Sequence, residues 1–75
     1  MDYILLTFCT EDKEIDLKVP TFIKMAELLS LLAVALNIPI SSANKLQAEP
    51  LGRILDNDKT LEQEMVTQGS LLTLI

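Results

Sequence analysis

The sequence predicts an α+β domain, a mixed β-sheet with one helix packed across one face, in the order ββαββ, short helical turn, β. Three observations carry this. Residues 14–19, EIDLKV, alternate strictly, with Ile15, Leu17 and Val19 on one side and Glu14, Asp16 and Lys18 on the other. Met25, Leu28, Leu29, Leu32 and Leu36 fall at helical spacings within an arc of about 100°. The closing stretch 70–75 alternates again, with Leu72 and Leu74 inward and Leu71, Thr73 and Ile75 outward.

The elements follow in order. Residues 3–9, YILLTFC, form a first strand with Ile4, Leu6 and Phe8 inward and Tyr3, Leu5, Thr7 and Cys9 outward. The polar cluster Thr10–Lys13 turns the chain into the second strand. The charges of that strand suit a sheet edge, where they discourage pairing with other chains. After Pro20 the period changes to helical. Thr21 is the expected N-cap, with a later start at Ile23–Lys24 as the alternative, and Asn37 and Pro39 stop the helix. Lys45–Glu49 is a short third strand, Pro50–Gly52 a turn and Arg53–Leu55 a very short fourth strand. Thr60-Leu61-Glu62-Gln63 has the form of a capping box and suits one helical turn, and Gly69 marks the last turn. The terminal strands are too apolar inside to be edges, so they belong side by side at the centre. That arrangement is the β-grasp, or ubiquitin-like, fold, here a single domain over residues 1–75.

Composition bounds the function. Apolar residues make up 49% of 75, with 15 leucines, three aromatic residues, one cysteine and no histidine or tryptophan. Eleven acids against six bases give a formal charge of −5, and no two of the bases are adjacent. Nucleic acid is therefore not an expected partner, because neutralising phosphates takes clustered Lys and Arg. One cysteine cannot form an internal disulfide, which fits a reducing compartment. The N-terminus shows no signal-peptide pattern, and the longest uncharged run, Leu28–Asn44, is 17 residues with polar interruptions. The expectation is a cytoplasmic protein without direct membrane insertion.

No residues assemble a catalytic or metal site, so no enzyme activity and no cofactor are expected. Cys9 has no histidine to activate it, and Glu11 and Asp12 disfavour its thiolate. Asp56-Asn57-Asp58 lacks the spacing, glycine and closing glutamate of a calcium loop and reads as a solvated loop. Glu62/Glu64 and Glu14/Asp16 read as exposed charged faces. Two apolar surfaces remain as partner-binding candidates. The first is the outer sheet face, where Tyr3, Leu5, Leu71, Thr73 and Ile75 form one patch if the terminal strands pair. The second, Leu31 and Val34 on the outer side of the helix, is expected to be partly buried at the sheet's margin.

Residues 59–75, KTLEQEMVTQGSLLTLI, resemble ubiquitin's closing segment without a gap. Nearly the whole chain is similar to small bacterial ubiquitin-like proteins of the YukD/EsaB type, found with type VII (ESX/Ess) secretion systems. The matching features are Asp16-Leu17-x-Val19-Pro20, the helix end Leu36-Asn37-Ile38, Gly52-x-Ile54-Leu55 and Gly69-x-Leu71-x-x-Leu74. Two departures from ubiquitin bear on function. The sequence reads to Ile75 without Gly-Gly, so conjugation and sulfur-carrier roles are not expected. Glu49 stands where ubiquitin's central recognition isoleucine would be. The resemblance implies a non-conjugated protein-interaction module, a cytoplasmic accessory or regulatory component of a type VII secretion system. Its implied partners are cytoplasmic parts of the membrane machinery, the FtsK-type ATPase or the pseudokinase-like protein, which would hold it at the inner face of the membrane. The alternative is a self-associating homodimeric adaptor of an unrelated pathway.

Overall fold

A computed structural model describes residues 2–75. Its elements are β1 (Tyr3–Cys9), β2 (Glu14–Pro20), α1 (Met25–Leu36), β3 (Leu46–Glu49), β4 (Arg53–Ile54) and β5 (Leu71–Leu74). The five strands form one sheet in the order β2-β1-β5-β3-β4. The terminal strands β1 and β5 lie parallel at its centre, with Thr7, Phe8 and Cys9 opposite Leu71, Leu72 and Thr73. The other pairings are antiparallel, and β2 and β4 are the edges. This is the mixed β-grasp sheet expected from the strand periods.

Burial follows the pleat. Ile4, Leu6 and Phe8 of β1, Leu46 and Ala48 of β3 and Leu72 of β5 are buried on the inner face, which α1 covers with Met25, Leu28, Leu29 and Leu32. Leu55, Leu61 and Val66 close the core from the connecting segments. At the margin, Leu17, Leu36 and Leu74 are only partly buried against this cluster.

α1 starts later than a cap at Thr21 would set it, at the alternative beside Ile23–Lys24. The helix begins at Met25, with Lys24 as N-cap and no side-chain capping bond. The orphan amides are met from a distant loop instead: Met25 N–H donates to the Lys59 carbonyl (2.9 Å) and Ala26 N–H to that of Asn57 (3.1 Å). Thr21 is buried and continues the hairpin ladder, its N–H donating to the Asp2 carbonyl (2.8 Å). The segment Asp56–Lys59 is thus more than a solvated loop, since it caps α1. At the other end Asn37 adopts the left-handed conformation (φ 54°, ψ 49°) and its N–H returns to the Ala33 carbonyl.

The capping box at Thr60 is formed reciprocally. Gln63 N–H donates to Thr60 Oγ1 (3.0 Å), and Thr60 N–H donates to Gln63 Oε1 (2.9 Å). The segment closes into a single hydrogen-bonded turn, with Glu64 N–H donating to the Thr60 carbonyl (3.0 Å). Met65 turns left-handed (φ 62°), and Val66 N–H donates to the Leu61 carbonyl (3.0 Å).

Glu64 overturns the expectation of an exposed carboxylate pair. It is buried, and its carboxylate accepts the Arg53 guanidinium (3.0 Å) and the Asp56 N–H (2.6 Å), while Arg53 Nη2 also donates to the Glu64 carbonyl (2.6 Å). The side chain ties β4 and the capping loop to the turn before β5. The Asp56 N–H holds the Glu64 pKa below its ordinary value; burial opposes this, and Arg53 adds to the lowering.

Candidate functional site: the outer face of the sheet

The outer face carries the side chains that alternate with the core. Register sets them in rows. One row runs Asp16–Thr7–Leu71–Glu49 across β2, β1, β5 and β3. The next runs Glu14–Cys9–Thr73–Gln47–Ile54. Leu5 lies opposite Lys18 of β2. On its other side Gly69 N–H donates to the Leu5 carbonyl (2.8 Å), and the Leu5 N–H donates to Gln68 Oε1 (2.8 Å). Gly69 has φ +86°, which an L side chain adopts only with strain, although a Cβ there would meet nothing within 4 Å.

The sequence-nominated residues are therefore placed as follows. Leu5, 52% exposed, and half-buried Leu71 are diagonal neighbours on the central strand pair. Tyr3, the first residue of β1, extends this patch to the strand's start, where its ring meets Phe22 edge-on (centroids 5.9 Å, 87°) and Lys18 Nζ sits 6.0 Å from its centre. Thr73 continues the patch along β5 between Cys9 and Gln47. Ile75 follows β5 directly, its backbone paired with Lys45 (2.9 and 3.0 Å), which continues the ladder with β3 past Leu74. The apolar ribbon thus follows β1 and β5 between acidic margins, Glu14 and Asp16 on one side and Glu49 on the other. Lys18 and Lys45 mark its two ends.

Leu31 and Val34 are not partly buried. They are 55% and 84% exposed. At 100° per residue Val34 lies roughly opposite the buried stripe and Leu31 about 120° from it, so neither can reach the sheet.

Sequence reasoning missed Phe22 (56% exposed), Ile54 (53%) and Met65 (73%). Phe22 and Ile54 belong to this face or its end. The signal for Ile54 was its place beside buried Leu55 in a two-residue strand; Phe22 had none, because its contact with Tyr3 depends on the β1–β2 pairing. Cys9 is half-buried on the same face, and its Sγ lies 3.9 Å from Glu14 Oε2. Burial pushes its thiol pKa up, with Glu14 and then Asp16 adding to the shift, so cross-strand acids replace the adjacent ones expected to act.

The topology and this alternation define a ubiquitin-like protein of the β-grasp class. A family model, the WXG100 protein secretion system (Wss) protein YukD, matches residues 3–74, and the chain belongs to that family. Membership links it to type VII secretion. No curated protein matches the chain. Among solved structures it is similar to a chain from a study of molecular mimicry of SUMO in DNA repair, at 13% identity and TM-score 0.83, covering 100% of this chain and 92% of that one. It is similar also to a ubiquitin-like domain of an Arabidopsis thaliana protein (20%, TM-score 0.81, 100% and 78%). A third is the ubiquitin-like domain of the Mycobacterium tuberculosis type VII secretion system protein ECCD1 (23%, TM-score 0.67, 100% and 99%). These likenesses are of fold. No helix among the described residues is long and apolar enough to cross a membrane.

Proposed function

We propose that the protein is a non-enzymatic docking module of a type VII secretion system, working in the cytoplasm and held at the inner face of the membrane by a protein partner. The observation that carries this reading is the pair of exposed Leu5 and half-buried Leu71 on the central strands, outside the core cluster. Membership of a secretion family supplies the setting, and a type VII secretion protein carrying a domain of the same fold supports it. The partner's matching surface is an apolar anchor with Lys or Arg beside it, which would meet Asp16 and Glu49 at the margins of the ribbon. The cytoplasmic parts of the FtsK-type ATPase and of the pseudokinase-like membrane protein are the candidates. The exposed helix residues Leu31 and Val34 form a secondary surface.

The test is capture of these two components, from detergent extract, by Leu5→Glu/Leu71→Glu against the parent protein, with circular dichroism to check folding. Loss of capture by the folded double variant supports the reading. Capture that survives moves the interface off the sheet. Self-association is a second reading, and the free edge of β2 favours it.

A further inference from the structure

Strand β2 is an edge, and its pairing with β1 fixes which backbone groups face away from the sheet. At one end of the hairpin Thr10 N–H donates to the Lys13 carbonyl (2.9 Å), and at the other Thr21 N–H donates to that of Asp2 (2.8 Å). Antiparallel ladders alternate hydrogen-bonded and non-hydrogen-bonded pairs. Counting inward from both ends, Ile15, Leu17 and Val19 spend their N–H and C=O on β1. Glu14, Asp16 and Lys18 turn theirs outward, and Pro20 offers a carbonyl.

We propose that β2 pairs antiparallel with β2 of a second copy, centred on Leu17, to give a homodimer with one sheet running through both chains. Charge selects this register. Only residues whose backbone groups face outward can bond across the edge, so the register shifts in steps that keep Glu14, Asp16, Lys18 and Pro20 facing one another. Centred on Leu17, Asp16 meets the partner's Lys18 and Lys18 meets the partner's Asp16, while Glu14 N–H reaches the partner's Pro20 carbonyl. One step either way sets Asp16 against Asp16 or Lys18 against Lys18, and like charges directly opposite destabilise a sheet. On the inner face the same register sets Leu17 beside the partner's Leu17 and Ile15 beside its Val19. This covers Ile15 and Leu17, which the monomer leaves half-buried. Asp16 is held in place, since its Oδ1 accepts the Thr7 hydroxyl (2.8 Å). Edge charges that repel other strands are here self-complementary, as an isologous two-fold interface requires.

Sedimentation equilibrium from micromolar to millimolar concentration tests this. The parent protein is expected to rise from 8.3 kDa toward twice that mass. Asp16→Lys and Lys18→Asp alone should each weaken association roughly tenfold or more, because two opposite-charge pairs become like-charge pairs. The combined swap, Asp16→Lys with Lys18→Asp, restores both pairs with reversed polarity and should recover it. That variant also lacks the Asp16–Thr7 bond, so recovery cannot come from repair of the monomer. Amide exchange at Asp16 and Lys18 should slow with concentration in step. A strict monomer overturns the proposal, as does a dimer indifferent to the single swaps or one that the double swap fails to restore.

Discussion

Leu5 and Leu6 are adjacent in β1 and chemically identical, yet one is 52% exposed and the other 3%. The same contrast runs through the whole sheet. Its inner face is closed by α1 and by Leu55, Leu61 and Val66, whereas its outer face has no layer over it among the described residues. Burial here is decided by what lies across the face, and strand propensity serves both faces equally well. Folding therefore accounts for Leu6, Phe8 and Leu72. It gives no reason for Leu5, which is why the outer face is the better place to look for recognition.

The largest test of this contrast is the pair Leu6→Ala and Leu5→Ala. The first empties a packed site and should cost about 2–5 kcal/mol in urea unfolding. The second should stay within about 0.5 kcal/mol, as surface substitutions do. Equal losses would mean that the two faces are not differently covered.

The next test concerns Glu64, a charged group on the buried side of the comparison. Its pKa is lowered in the folded protein, so its contribution is full above the unfolded carboxylate value of about 4.3 and fades as pH falls through the lower folded value. Glu64→Gln should lower stability at neutral pH by about 1–3 kcal/mol, since a charged acceptor for Arg53 and the Asp56 amide is lost. Its unfolding free energy should also fall less steeply between neutral and acid pH than that of the parent. A parallel pair of acid profiles would show that the Arg53–Glu64 clamp is not what titrates.

These regions differ too in how far the sequence discloses them. Alternation in 14–19 and 70–75 and the Met25–Leu36 stripe are local patterns, and they specify strands, helix and inner face directly. The Thr60–Gln63 capping box is equally local and formed as read. What escaped depends on chain segments that meet only in the fold. The cap of α1 is two carbonyls from residues 57 and 59, thirty or more positions away, so nothing local separates a start at Thr21 from the later one at Ile23–Lys24. Glu64 is indistinguishable from Glu62 in sequence, and only Arg53 and the Asp56 amide make it internal. The outer patch was named from strand alternation. Its acidic margins required the register.

The smallest effect has a distinctive sign. Val34 sits in the last turn of α1 and is 84% exposed, so truncating it removes almost no packing. Valine is a poorer helix former than alanine because its branched side chain loses χ1 freedom against the preceding turn, by roughly 0.5 kcal/mol. Val34→Ala should therefore stabilise the monomer slightly, where every truncation on the buried stripe destabilises it. Differential unfolding at low concentration, where association is absent, reads this cleanly. A loss of stability instead would mean that something in the folded chain covers Val34, and the outer side of α1 would then belong with the core rather than with the exposed surfaces.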